Sequence, residues 1–385
     1  MKVLVVHNEY RAALPSGENL VVRRQIDGLR AVGVDVIPYL RSSDELTRAG
    51  RGGRLRAAAS AVGASDAIGD LRRVLKRERP DVVHLHNLFP LISARVVDLA
   101  HHHGAKVVQT VHNFRHVCIA GTYFRDGHEC FDCRGHAFGR PGVQHACYRG
   151  STAESLVMAT AIATYRRQLR RPDAVIALAP HLREHCIDYG FPAERVEVIP
   201  NTTADPGEPT SLGSGLLFAA RFSAEKGLTL LAEAWARLPP HAAGRLTIVG
   251  DGPERPVAVA LAASRPDVDY LGSVEPSAIP ALLQATAAVV VPSRWQEVCP
   301  TIVVDALAYG RPVLATDRGG LPFLLGAGGG WLVSPSPGAL ADGIRRAVAG
   351  APAMAAGARR RFLDSMAPGV VLTRTVDLYE RIQAA

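Results

Sequence analysis

Residues 291–315, VPSRWQEVCPTIVVDALAYGRPVLA, decide how this chain is read. The apolar run 288–291 leads into them and predicts a buried strand. A polar turn follows: Pro292, Ser293, Arg294, Trp295, Gln296, Glu297. Pro300 and Thr301 open a helix that runs to Tyr309, because a proline in the first helical turn forfeits no hydrogen bond. Gly310 suits the position after the helix, Pro312 forbids continuation, and residues 313–315 form the next strand. Such a strand–loop–helix–strand unit sets its loop and helix start at the carboxyl edge of a parallel sheet, where ligands of open α/β sheets bind.

That helix start offers unpaired N–H groups and a positive dipole end to an anion such as phosphate. Glu297 stands too near to suit the phosphate itself, but it can accept hydrogen bonds from neutral hydroxyls. Asp305, eight residues on, can accept from a second polyol. One anion site between two hydroxyl acceptors fits a sugar–diphosphate–ribose ligand. A solvated loop Glu and a surface helix Asp are the plain alternative.

The pattern Glu297-x7-Asp305, then Ala306-Leu307-Ala308-x-Gly310-x-Pro312-Val313, resembles the signature of the retaining, GT-B-fold glycosyltransferases of family four. The family pattern is E-x7-E, so Asp305 is a departure, shorter in reach by roughly 1.5 Å. The resemblance implies α/β architecture with two Rossmann-like doubly wound parallel-sheet domains facing a central cleft. It also implies that Glu297 holds donor-sugar hydroxyls and Asp305 the ribose. Val298, Cys299, Pro300 and Thr301 would complete the donor loop.

Other stretches extend the likeness. Arg221 and Lys226 lie in Arg221-Phe222-Ser223-Ala224-Glu225-Lys226-Gly227, a strand–helix turn flanked by two cations. Two cations so placed can hold a diphosphate. The family's R-x4-K-G motif does that and neutralises the leaving group, whose charge builds as the glycosidic bond breaks. A surface Glu–Lys turn is the alternative. Thr110-Val111-His112-Asn113 resembles the family's H-[DN] site, which places His112 beside the donor sugar and acceptor. Ser16-Gly17 resembles the Gly-containing turn near the donor phosphates. A dinucleotide-binding G-x-G-x-x-G is absent from that first strand–helix loop, which counts against an NAD enzyme. Pro200-Asn201 resembles the interdomain turn, with Thr202 where the family has Gly. Gly319-Gly320-Leu321-Pro322-Phe323 resembles G-G-x-P-E, with Phe323 replacing the Glu.

Three histidines stand at strand ends: His84, His86 and His112. His84 and His86 share one strand face, and His86, nearer the carboxyl end, is the one expected to reach the cleft. Residues 118–148 form an insertion carrying Cys118, Cys130, Cys133 and Cys147, four of the six cysteines. One C-x2-C among four thiols suits a structural zinc. A disulfide or redox pair and free thiols are the alternatives, and His128, His136 and His145 are possible substitute ligands. Cys186 and Cys299 read as isolated small apolar residues. The resemblance places the insertion on the acceptor side.

With 385 residues the chain is too long for one core to be expected. The division expected is residues 1–204 on the acceptor side and 205–369 on the donor side, with helix 370–385 returning to the first domain. No apolar run approaches the ~20 residues of a membrane span, so a cytoplasmic protein is expected. The net charge of +8 gathers in Arg51, Arg54, Arg56, Arg72, Arg73, Lys76, Arg77 and Arg79, and again around Arg166 to Arg171. This favours anionic partners, including peripheral contact with the inner membrane face, or else a solvated Arg-rich surface. Nucleic acid is disfavoured, since no aromatic interleaving accompanies the charge.

The expected function is transfer of a sugar from a UDP- or GDP-type donor to a hydroxyl acceptor. The acceptor is a polysaccharide or lipid-linked intermediate, or a natural-product aglycone. No D-x-D triad is evident, so catalysis is expected to need no cofactor. An inert nucleotide-sugar-binding scaffold and a sugar-nucleotide epimerase are the alternatives.

Overall fold

The computed structural model describes residues 1–11, 16–45 and 66–385. Arg51, Arg54 and Arg56 of the basic group lie outside the described residues.

Strands and helices alternate, as parallel pairing demands. The first run is β1 (Lys2–Glu9), α1 (Gly17–Ala31), β2 (Asp35–Ser42), α2 (Asp66–Glu78), β3 (Val82–Leu85), α3 (Arg95–His102) and β4 (Lys106–Val111). The Cys-rich segment adds the short β5 (Phe124–Arg125), β6 (His128–Glu129) and α4 (Arg140–Gln144). Next come α5 (Thr152–Thr164), α6 (Arg166–Leu169), β7 (Ala174–Ala177), α7 (Pro180–Tyr189) and β8 (Val196–Val198). Six of these strands form a parallel sheet in the order β2-β1-β3-β4-β7-β8.

The second run is β9 (Leu216–Ala219), α8 (Leu228–Ala236), β10 (Leu246–Val249), α9 (Arg255–Ser264), β11 (Val268–Tyr270), α10 (Ile279–Gln284) and β12 (Ala288–Val291). It continues with α11 (Thr301–Ala308), β13 (Val313–Thr316), α12 (Leu321–Leu325), β14 (Gly330–Val333), α13 (Pro337–Ser365) and α14 (Pro368–Ala384). Its sheet, also parallel, has the order β11-β10-β9-β12-β13-β14. The central strands β3, β7, β12 and β13 are buried end to end, as sheets covered on both faces require. These are two Rossmann-like units, the GT-B architecture.

By contacts the chain divides into two units. One holds Met1–Arg125, Cys130–Pro200 and Val371–Ala385; the other holds Asp126–Glu129 and Asn201–Val370. Within the first, α14 packs its Leu372 where a Cβ on Gly28 would come within 2.9 Å of it. Tyr379 sets its hydroxyl 2.5 Å from His84 Nδ1, and Arg374 donates to the Val198 carbonyl at 2.7 Å.

The caps around α11 follow local chemistry. Pro300 is the N-cap residue with extended backbone, and Gly310 takes the left-handed φ of 65° that ends the helix. A proline inside a helix usually breaks it, yet α13 runs unbroken for 29 residues with Pro352 inside it. Its buried stripe of Leu340, Ile344, Ala347, Ala351, Ala358 and Phe362 runs straight past the proline. Burial of those side chains outweighs the ~3 kcal/mol a mid-helix proline costs. The helical stretch 152–169 is divided at Tyr165 into α5 and α6.

Candidate functional site

In the second sheet the strand order reverses between β9 and β12. Crevices at such a reversal, outside the carboxyl ends of the strands, are where ligands of open sheets bind. The loops leaving those two strands are 220–227 and 292–300, the two stretches singled out by their charges. They are held as one piece. Arg294 N donates to Glu225 O at 2.8 Å. Gly227 has φ 78°, and a Cβ there would lie 1.9 Å from the Pro292 carbonyl oxygen. Only glycine allows that approach.

The charges meet within this frame. Lys226 Nζ donates to Glu297 Oε1 at 2.7 Å, and Ser293 Oγ donates to the same oxygen at 2.6 Å. The Glu297 side chain is 3% exposed. The Lys226 ammonium also lies 5.0 Å from the centroid of the Trp295 ring. Gly320 N donates to the Glu297 carbonyl at 2.6 Å, and Thr316 Oγ1 donates to the Ser293 carbonyl at 2.5 Å. A buried ion pair with this many fixed neighbours repays desolvation chiefly by holding one geometry. Asn201 Nδ2 donates to the Cys299 carbonyl at 2.9 Å, fixing the chain just before α11.

Several predicted residues therefore gather here: Lys226 and Glu297 touch, Val298 and Cys299 are buried beside them, and Thr301 begins α11. Asp305 is buried on that helix, so neither acid is the solvated residue of the plain alternative. Arg221 is the outlier. Its guanidinium is about half exposed and pairs with Glu225 at 3.3 Å, while Ser223 Oγ holds the same carboxylate oxygen at 2.6 Å. Burial pushes the Cys299 thiol up to about 12, which leaves it inert. Where the resemblance expects a Glu, the Phe323 ring lies 5.5 Å under the Arg361 guanidinium.

In the first sheet the order reverses between β1 and β3. Here His7 from β1 joins His84, His86 and His112. His86 Nδ1 lies 2.8 Å from His112 Nε2, and the His84 and His86 rings stack at 4.5 Å. His84 is sealed inward between the Tyr379 hydroxyl and Thr110 Oγ1 at 2.7 Å. His86 and His112 line a hollow of about 50 Å³ together with Glu18, Arg115 and His116. Burial holds His84 and His112 down at about 3, with His86 well below its usual value for the same reason. At neutral pH these imidazoles are uncharged. Gly17 opens α1, and Ser16 caps it by accepting from Asn19 N. Burial raises the Glu18 carboxyl, and among the described residues its Oε1 has no hydrogen-bond partner.

Ser293, Trp295, His7 and Glu18 were not picked out by sequence reasoning. Ser293 and Trp295 lay in the quoted stretch, and Glu18 followed the noted Ser16-Gly17. Only the fold turns them towards the charged groups.

Cys118, Cys130, Cys133 and Cys147 line one hollow of about 20 Å³. All six cysteines are free. Tyr123 N donates to Cys118 Sγ at 3.4 Å. His128, His136 and His145 do not line it. Among the described residues no three His, Cys, Asp or Glu side chains stand close enough together to hold a metal ion. Nor is any described helix long and apolar enough to cross a membrane.

Two family models match: "Glycosyl transferase 4-like domain" over residues 16–202 and "Glycosyl transferases group 1" over residues 213–350. The chain belongs to the group 1 glycosyltransferases, with a 4-like first domain. No curated protein matches it. Among solved structures it resembles sucrose-phosphate synthase from Thermosynechococcus elongatus, with TM-score 0.69 and 16% identity, covering 100% of this chain and 99% of that one. A glycosyltransferase from Rickettsia africae has TM-score 0.66 and 16% identity, covering 99% and 98%. Anabaena HepE, solved in complex with UDP and glucose, has TM-score 0.66 and 16% identity, covering 99% and 100%. At such identities these likenesses speak for the fold alone.

Proposed function

We propose that this glycosyltransferase moves a sugar from a nucleotide-diphosphate donor to a hydroxyl acceptor with retention of anomeric configuration. The observation that carries the reading is the buried Lys226–Glu297 pair beside the start of α11. HepE, of the same fold, is solved with UDP and with UDP-glucose, which supports a nucleotide-sugar donor.

The chemistry assigned to the residues follows. The acceptor oxygen bonds to the anomeric carbon on the face from which the diphosphate leaves. The carbon–oxygen bond to the diphosphate breaks, its electron pair passes to the phosphate oxygen, and the acceptor's hydroxyl proton follows to that oxygen. Lys226, Arg221 and the amides at Thr301 oppose the charge that builds there. Glu297 orients Lys226 and accepts from sugar hydroxyls; Asp305 accepts from the ribose. His112, neutral through burial, lines the sugar's path as a hydrogen-bonding group. Gly17 lets the first turn of α1 approach the donor. No step needs a divalent ion.

The test is incubation with UDP- and GDP-sugars and hydroxyl acceptors in the presence of a chelator, with product configuration read by NMR. The reading expects product of the donor's own anomeric configuration. An inverted product, or transfer only when metal is restored, contradicts it. Phe323, stacked on Arg361 in place of an acid, favours the inert scaffold as second reading; release of nucleoside diphosphate in the same assay excludes that.

We also infer that the four insertion thiols hold a structural zinc. What supports it is their sharing one hollow unpaired. As placed they are not at metal-binding spacing, so the thiols would have to close on the ion.

A further inference from the structure

The Cys-rich insertion, α5 and α7 enclose a second hollow in the first unit, of about 340 Å³. That lies within the range of pockets built for small organic ligands. His116 lines both this hollow and the smaller one that holds His86 and His112, so the two adjoin at that ring.

Three kinds of wall define the hollow. Ile119, Ile162 and Phe138 are apolar. Arg134 and Arg166 bring two guanidiniums against one acid, Asp188. Arg134 lies 5.1 Å from the Tyr123 ring centroid, and Arg166 lies 5.7 Å from that of Tyr189. Stacked guanidiniums keep their in-plane donors for a carboxylate. The third wall is polar and unsatisfied. Among the described residues His116 Nδ1, His185 Nε2 and Tyr189 Oη have no hydrogen-bond partner, although these residues are 8%, 3% and 2% exposed. All three residues line the hollow, and a buried polar atom left unpaired is costly; small side-chain turns would bring these atoms to a ligand.

We propose that this hollow binds the acceptor and that the acceptor is a hydroxylated aromatic acid. The ring lies among the apolar and aromatic walls, the acid meets Arg166 and Arg134, and the hydroxyls pair with His116, His185 and Tyr189. A sugar acid fits less well, because a pyranose carries a hydroxyl on nearly every carbon and the apolar walls leave most of them unpaired. Burial holds His185 at about 3, so its ring is neutral and either gives or takes a hydrogen bond. A ligand hydroxyl near His116 stands at the edge of the His112 hollow, where transfer is assigned.

This rests on the transferase reading, so binding is measured without donor. The probe is 1-hydroxy-2-naphthoate, titrated into the whole protein by calorimetry beside 1-naphthol, 2-naphthoate and glucuronate. Saturable binding of the hydroxy acid is expected, at least about tenfold weaker for 1-naphthol and for the Arg166→Ala variant, each of which loses a charge-assisted hydrogen bond. Glucuronate is expected not to bind. Ile162→Trp, which fills the hollow while leaving its polar groups, is expected to abolish binding with the melting temperature retained. Unsaturable binding, binding indifferent to Arg166→Ala and Ile162→Trp, or preference for glucuronate overturns the proposal. Donor is then added: a bound probe that accepts sugar on its hydroxyl supports the acceptor role. A bound probe left unglycosylated while another alcohol is glycosylated overturns that role and leaves the transferase reading intact.

Discussion

Glu297 shows how much one side chain settles. Its carboxylate takes an ammonium and a hydroxyl on one oxygen, and its carbonyl takes an amide from Gly320. Lys226 therefore stands in one position before any donor arrives, which lowers the ordering cost of binding. Gly227, the next residue, makes that position reachable, because its missing Cβ leaves room for the Pro292 carbonyl. Gly227→Ala forces the two loops apart. A loss of about 1–3 kcal/mol of stability is expected from the strain, together with weaker binding of nucleoside diphosphate. Thermal melts and calorimetry on the variant check both; wild-type values in each contradict the account.

At the scale of elements, some features were legible because their causes are local. Pro300, Gly310 and Pro312 bound α11 through backbone constraints that act within a few residues. The apolar runs 288–291 and 313–315 likewise placed β12 and β13. Local rules give way where distant packing overrides them, as in α13, whose buried stripe carries it through Pro352. The contacts of Ser293, Trp295, His7 and Glu18 depend on which strands neighbour one another, and a linear pattern does not state that. The Cys-rich insertion lies between: its thiols were conspicuous, and the fold set all four around one hollow. Elemental analysis of the purified protein is expected to find about one zinc per chain, lost on Cys133→Ser. Metal-free protein whose melting temperature is indifferent to added zinc contradicts that.

At the scale of the whole molecule, the buried histidines tie stability to pH. His84, His112 and His185 are held at about 3 and His116 at about 4, each chiefly by burial. Their folded values lie below the unfolded one near 6.5, so the unfolded chain binds more protons in acid. Stability is therefore undiminished above pH ~6.5 and falls below it by up to about 1.4 kcal/mol per pH unit for each histidine, until the folded values are reached. All four belong to the first unit. Melts between pH 7 and 4.5 are expected to show a steep loss in that unit's transition. A flat profile over that interval contradicts it.

Two sheets that each reverse strand order leave crevices lined by charged loops in one unit and neutral imidazoles in the other. The reading of this chain as an active transferase turns on the charged pair. Turnover of nucleotide-sugar by the Lys226→Ala variant is the most direct measurement. The account predicts a loss of at least ~100-fold in rate, the scale of removing one donor to a developing oxyanion, with the fold retained. Near-normal turnover in that variant contradicts it.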